Sequence, residues 1–387
     1  MKCIKCQTDN KLKERTANRG RCVSCHHPFT FDPKGASGSH HATVIAQRAT
    51  SAKFTDTFFA NVIAKTSVNN TLFFTPRQLY YMLESRRLTA TKKVQGCGCI
   101  LIVLSIFSLI ALFTSGSFIS FIAFIVLLTA GIALLREKVA KRLLRSRPKE
   151  AKTSVDEFKG WVEAWVHYNG PIEKLLPLPQ AKNEKAKISD DIKAYSFDRV
   201  VVCERATTAQ FLIANNFHFE HNCAVLAGDH YPQNIFDTVM EMLRRNPALK
   251  VYALHNASAA GVQLSFHLMN DPAWFKDWPG VEVFDIGLLP RQVMGKRMFV
   301  EQSAGSGQFA KQNLAPGVRL RLRADELRWL EEGNYVDVES LAPQALLRMV
   351  TQGIALSRDP RAQDALADPT ATDYDGGTFI FISDSFG

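Results

Sequence analysis

The sequence predicts a mixed α/β fold, a parallel sheet with helices on both faces, set behind a small metal ribbon and a two-helix membrane hairpin. Three observations predict it. Short β-prone runs alternate with amphipathic helices after residue 155, two uncharged apolar runs lie between Cys97 and Leu135, and two C-x2-C motifs precede both. Strands that alternate with helices build parallel sheets covered on both faces. With 387 residues, 46% hydrophobic and 22% charged, the chain has room for two or three domains and is globular rather than disordered in composition. Its charge is uneven: residues 1–150 carry 23 Lys and Arg against 7 Asp and Glu, or +16, which leaves the remainder at −6. The basic half calls for an acidic counterpart, either nucleic-acid phosphates or anionic lipid headgroups.

The first element is a ribbon over residues 1–31. The opening "MKCIKCQTDNKLKERTANRGRCVSCHHPF" has no apolar core of the kind a cleavable signal peptide needs. The N-terminus is therefore expected in the cytosol, where thiols stay reduced and Cys3, Cys6, Cys22 and Cys25 read as metal ligands rather than disulfides. Two C-x2-C knuckles fifteen residues apart suit four thiolates around one structural Zn²⁺. "CVSCH" also matches a c-type haem attachment site, but that chemistry needs export and leaves the first C-x2-C unexplained. Residues 32–53, rich in Gly, Ser and Ala, read as a linker.

Residues 54–93 form the next segment. Phe54, Phe58, Phe59, Val62 and Ile63 follow a helical period, and "TLFF" is β-prone. Thr75 then reads as an N-cap, with Pro76 at the first helical position and Gln78 completing a capping box. Helix, turn and capped second helix make a helix-turn-helix or winged-helix-like unit. Leu79, Met82 and Leu83 are expected in its core, with one of Tyr80 and Tyr81 joining them and the other half exposed.

Residues 96–136 read as a transmembrane helical hairpin. "CGCILIVLSIFSLIALF" and "FISFIAFIVLLTAGIALL" are each close to the roughly 20 residues that cross a bilayer, and a four-residue polar break separates them. Arg86, Arg87, Lys92 and Lys93 precede the pair and seven Lys and Arg between Arg136 and Lys149 follow it, while the turn has none. Both ends are therefore expected on the cytoplasmic side, with a bacterial inner membrane as the setting and the lipid bilayer as a partner.

Residues 150–358 carry the α/β pattern. "SVDEFKGWVEAWVHYN" reads as a helix, "DRVVVCE" as a buried strand, "TTAQFLIANN" as a helix, "CAVLA" as a strand, "NIFDTVMEMLRRN" as a helix, "KVYALHN" as a strand and "AAGVQLSFHL" as a helix. Functional residues of such sheets lie at the carboxyl ends of the strands, where Glu204, Asp229 and "HNASAAG" stand. "FHFEHNC" reads as a loop entering a strand in preference to a metal site, and "SAGSGQF" as a flexible loop without the context of a phosphate loop. Residues 359–387 form a polar tail whose β-prone end, Thr378 to Ser383, suits an edge strand or a partner.

Thr75, Arg77, Tyr80 and Tyr81 in "TPRQLYY", the strand "VVVCE", the loop "HNASAAG" and the segment "NYVDVESLAPQALLRMV" resemble the A subunit of topoisomerase VI and the related meiotic double-strand-break transesterase. The likeness covers roughly residues 54–90 and 155–350; the zinc ribbon and the hairpin lie outside it, and the hairpin separates the tyrosine motif from the rest. It implies a winged-helix domain, a Toprim-like α/β domain, DNA as partner and a homodimer. It also implies Tyr81 as nucleophile, Arg77 as its electrostatic helper and Glu204 as first ligand of Mg²⁺. Asn256 and Ser258 stand where two metal-binding aspartates belong, ahead of Gly261, so Mg²⁺ is doubtful and Asp229 is the nearest substitute. Arg77, Arg86 and Arg87 are the expected nucleic-acid contacts.

The reading that follows is a membrane-anchored protein with a degenerate topoisomerase-VI-A-like core, not catalytic, that binds nucleic acid or acts as a scaffold. The domain combination suggests a bacterial defence pathway. An active Mg²⁺-dependent transesterase using Tyr81 and a structural membrane module for unknown protein partners are the alternatives.

Overall fold

The computed structural model describes residues 1–33, 52–90, 124–126, 149–179, 197–246, 248–278 and 280–357. The hairpin expected over 96–136 falls outside these apart from the helical residues 124–126, as do almost all of the 32–53 linker and the tail 359–387. No helix among the described residues is long and apolar enough to cross a membrane.

The ribbon consists of two matching turns around one short helix, α1 (Leu12–Ala17). In each turn the backbone N–H of the residue after the second cysteine returns to the first: Gln7 donates to the Cys3 carbonyl and His26 to the Cys22 carbonyl, both at 3.0 Å. Gln7 and His26 have φ of 60° and 57°, the left-handed conformation that closes a tight turn.

Three helices follow, α2 (Asp56–Thr66), α3 (Pro76–Ala90) and α4 (Val155–Asn169). The capping box forms as expected: Gln78 N–H donates to Thr75 Oγ1 at 3.2 Å, and Thr75 N–H to Gln78 Oε1 at 2.9 Å. Phe59, Val62, Leu79, Leu83, Trp161 and Ala164 meet in one core, which also receives Phe31 from the ribbon. The ribbon is tied to this body through Asp56, whose carboxylate accepts the N–H groups of Thr30 (3.0 Å) and Phe31 (2.7 Å). Phe74, in the β-prone "TLFF", pairs with Leu175 beyond α4.

The tyrosines depart from expectation, because both are buried. Tyr80 donates to the Thr153 carbonyl at 2.7 Å and Tyr81 donates to Glu301, so each hydroxyl finds a partner inside the protein and neither ring needs solvent.

The α/β unit has a four-stranded parallel sheet in the order β2-β1-β3-β4, from β1 (Arg199–Cys203), β2 (Ala224–Ala227), β3 (Lys250–Leu254) and β4 (Glu282–Asp285). Val201 stands opposite Val225 and Tyr252, and Val251 opposite Val283. Val201, Cys203, Tyr252 and Leu254 enter one core and Val200, Val202, Val251 and Ala253 the other, as alternation along a strand buried on both faces requires. Helices α5 (Ala206–Ala214), α6 (Phe217–Glu220), α7 (Phe236–Arg244) and α8 (Leu264–Asn270) connect the strands. α6 falls in "FHFEHNC", where a loop was expected.

After the short α9 (Pro290–Val293), strands β5 (Glu301–Gln302) and β6 (Asn334–Tyr335) pair antiparallel around α10 (Ala304–Gln312), α11 (Pro316–Arg321) and α12 (Ala324–Glu331). A 3₁₀ turn, Val338–Ser340, and α13 (Pro343–Leu356) complete the described fold. "SAGSGQF" is thus the start of a helix: Ser303 caps it, and Gly307 lies so close to Gly333 that an added Cβ would stand 3.0 Å from the Gly333 nitrogen.

Candidate functional site

Two clusters carry chemistry. In the ribbon, the sulfurs of Cys3, Cys6, Cys22 and Cys25 all lie within 4.8 Å of one another, with Cys3 to Cys25 and Cys6 to Cys22 at 3.6 Å. Four thiolates at about 2.3 Å from a tetrahedral ion are separated by about 3.8 Å, so the set fits one soft or borderline metal ion. Asn10 supports it from behind, its side-chain N–H 3.5 Å from the Cys22 sulfur and its oxygen accepting the Val23 N–H at 2.8 Å.

The second cluster joins α3 to the α/β unit. Arg77 reaches Glu301 at 3.2 Å and Asp337 at 3.3 Å, and Arg205, just beyond β1, reaches the same Asp337 oxygen at 2.7 Å. Tyr81 and Tyr335 both donate to Glu301. Buried Glu339 accepts from Thr75 (2.6 Å), Thr207 (2.5 Å) and Thr208 (3.3 Å), so the N-cap of α3 is fastened to the 3₁₀ turn across 264 residues of sequence.

Burial sets the electrostatics. It lifts the Tyr81 phenol well above the ordinary tyrosine range, with Asp337 and Glu301 adding to it and Arg77 opposing. Burial also raises Glu339, aided by Asp337. Desolvation would lower Arg77 and Arg205, but Asp337 above all holds both guanidinia above their usual value.

Glu204 follows β1 and stands beside the loop after β3. It accepts the Asn256 N–H at 2.7 Å and the Ser258 hydroxyl at 3.4 Å. The Asn256 side-chain oxygen accepts the Val338 N–H at 2.8 Å, and Ser258 Oγ accepts from Gly261 at 2.9 Å. Both side chains thus hold the loop in place. Gly261 is required by space, since a Cβ there would come within 2.2 Å of the Asn256 carbonyl. Beneath the loop, buried His255 and Asp285 pair at 2.8 Å.

The structure therefore brings Arg77 and Tyr81 together, and Glu204 together with Asn256, Ser258 and Gly261. Asp229 is exposed on the turn after β2 and takes no part in the hydrogen bonds around Glu204. Arg87 is engaged within the protein, bonded to Glu84 at 2.8 Å and lying 5.5 Å from the Trp161 ring, while Arg86 is half-buried on α3. Sequence reasoning missed Glu301, Asp337, Glu339 and Arg205. The signal available was the alternation of Asp337 and Glu339 in "YVDVESL", acids set among apolar residues that burial would force to find partners. Neither the models of known protein families nor the sequences of curated proteins match the chain.

Proposed function

We propose that the chain is a membrane-anchored, cytoplasm-facing protein that binds nucleic acid through a topoisomerase-VI-A-like core unable to break strands. The observation that carries the inability to break strands is the engagement of Asp337 by both Arg77 and Arg205. Side chains supply the positive charge that a divalent cation would bring to these carboxylates. Tyr81 is 2% exposed, and a phenol raised by burial is a poor nucleophile at neutral pH. Asn256 and Ser258 offer an amide and a hydroxyl in place of two carboxylates, a weak donor set for Mg²⁺.

The anchor reading draws on the stems of the segment 91–148. Glu84, six residues before the end of α3, accepts the Lys152 N–H at 2.9 Å and the Thr153 hydroxyl at 2.7 Å, so the chain returns beside the helix from which it left. A two-span hairpin does the same, and the Lys and Arg on both flanks favour the cytoplasm for each end. In the ribbon, one Zn²⁺ on four thiolates serves a structural role.

One observation favours an active transesterase: Glu301 accepts the Tyr81 hydrogen bond, as a general base would. The same carboxylate also serves Arg77 and Tyr335, and the buried phenol leaves no approach for a phosphodiester. Incubating the purified chain with supercoiled DNA and Mg²⁺ or Mn²⁺ decides between the two. No covalent protein–DNA adduct is expected; a metal-dependent adduct abolished by Tyr81→Phe would establish the enzyme instead.

A further inference from the structure

The ribbon and α4 enclose an open groove of about 380 Å³ between Ile4 and Lys5 on one side and Trp165, Tyr168 and Pro171 on the other, with His27 at its end. Its two walls are tied together by side-chain contacts. His27 Nε2 lies 2.9 Å from Asn169 Oδ1, the Asn169 amide donates to Thr30 Oγ1 at 2.8 Å, and the Trp165 ring stacks on Phe31 at 6.2 Å. Gly170, with φ of 86°, turns the chain out of α4 so that Pro171 forms the rim. Half-buried Tyr168, whose ring meets that of exposed His167 edge to face at 4.8 Å, lines the groove and supplies its aromatic floor.

The ribbon that supplies one wall of the groove is strongly basic. Lys2, Lys5, Lys11, Lys13, Arg19 and Arg21 are exposed, whereas Asp9 pairs with the N-terminal amine at 2.8 Å and Asp32 with Arg15 at 2.7 Å. An aromatic floor beside Lys5, on a ribbon rich in exposed cations, is the combination that stacks an unpaired base and neutralises its phosphates. A duplex keeps its bases inside and cannot use the floor.

We propose that this groove is a single-stranded nucleic-acid site, with a base stacked on Tyr168, a flanking phosphate on Lys5 and the ribbon's other exposed cations supplying the surrounding positive field. The inference deepens the nucleic-acid reading above and rests on it, and adds to the core a second contact, on the ribbon. Lipid headgroups are the other polyanion available. α4 runs from Ser154, beside the stem of the anchoring segment, to Asn169 at the groove, and fifteen residues at 1.5 Å span about 22 Å. That exceeds two Debye lengths at physiological salt, so headgroups at the stem do not serve these cations.

The test uses the full chain in detergent micelles, a fluorescently labelled oligothymidine, a duplex of equal length, and vesicles of phosphatidylcholine with and without phosphatidylserine. The single strand is expected to bind more tightly than the duplex. Tyr168→Ala should weaken it by about five- to a hundredfold, the range for stacking of one base. Lys5→Glu should weaken it and reduce the log–log salt slope by about 0.7 for each phosphate that is no longer neutralised. Retention of the bound metal in both variants shows that the ribbon still folds. Unchanged affinity in both metal-loaded variants overturns the groove while leaving nucleic-acid binding in place. Equal or tighter duplex binding overturns the stacking. Binding to phosphatidylserine vesicles without binding to the strand assigns the surface to lipid and overturns both readings.

Discussion

Arg77 and Asp337, 260 positions apart in sequence, meet at 3.3 Å, and Arg205 shares the same carboxylate oxygen. Removing the carboxylate takes a partner from two guanidinia at once and leaves Arg77 with Glu301 alone. Asp337→Ala should therefore destabilise the α/β unit by roughly 2–3 kcal/mol, below the range for a fully buried pair because both arginines are about a third exposed. Asp156→Ala, which breaks an exposed pair with Lys159, should change stability by less than about 0.5 kcal/mol. Denaturant titrations of the two variants check the contrast.

Tyr81→Phe removes one hydrogen bond to Glu301 and should cost about 1–2 kcal/mol of stability without weakening nucleic-acid binding. Arg77→Glu places a third acid beside Glu301 and Asp337 and should lower both stability and affinity for DNA. Electrophoretic mobility shifts of the two proteins, prepared together, measure the difference.

Folding of the ribbon should be coupled to metal, because its buried apolar residues are few. Cys6→Ser or Cys25→Ser should lower zinc content and loosen residues 1–33 while the parallel sheet stays intact. Atomic absorption together with hydrogen exchange reads both effects, and full zinc in either variant would count against the four-thiolate assignment.

If both flanks of the apolar runs are cytoplasmic, a reporter after Arg147 should behave as one at the N-terminus does, and a cysteine placed at Ser115 should label from outside the cell. Labelling of the α/β unit from the periplasm is the result that would remove the hairpin.

The His255–Asp285 pair predicts a loss of stability in alkali. Desolvation opposes the charged imidazole, but Asp285 raises His255 to about 9, above the ~6.5 of an unfolded histidine. The folded state thus holds its proton more tightly. The pair's contribution is fully present below pH ~6.5 and is lost as pH rises through about 9. Melting temperatures of the wild type should fall over that window, and those of Asp285→Asn should fall less.

Local pattern made much of the fold legible. "RVVVC", "AVLA" and "KVYAL" are short apolar runs bounded by turns, and "TPRQ" is a capping box read directly from residue types. Strand β4 escaped because "EVFD" is a short edge strand with a charged residue at each end. α10 escaped because its glycines argue against a helix in isolation, whereas the close approach of Gly307 to Gly333 calls for one. Arg77 and Tyr81 were found from a motif. Their partners Glu301 and Asp337 were not, since a single acid 220 or more residues away leaves no periodic trace.

Glu84 makes the stretch from 91 to 148 a detachable cassette in engineering terms. One buried carboxylate closes the ring by holding Lys152 and Thr153 against α3, and Lys149 is itself laced to Met298 at 2.7 Å. Because both ends are fastened to the body rather than to each other's continuation, the folded frame does not depend on what is strung between them. A short hydrophilic bridge from Ala90 to Lys149 should then leave the ribbon, helices and sheet as they are.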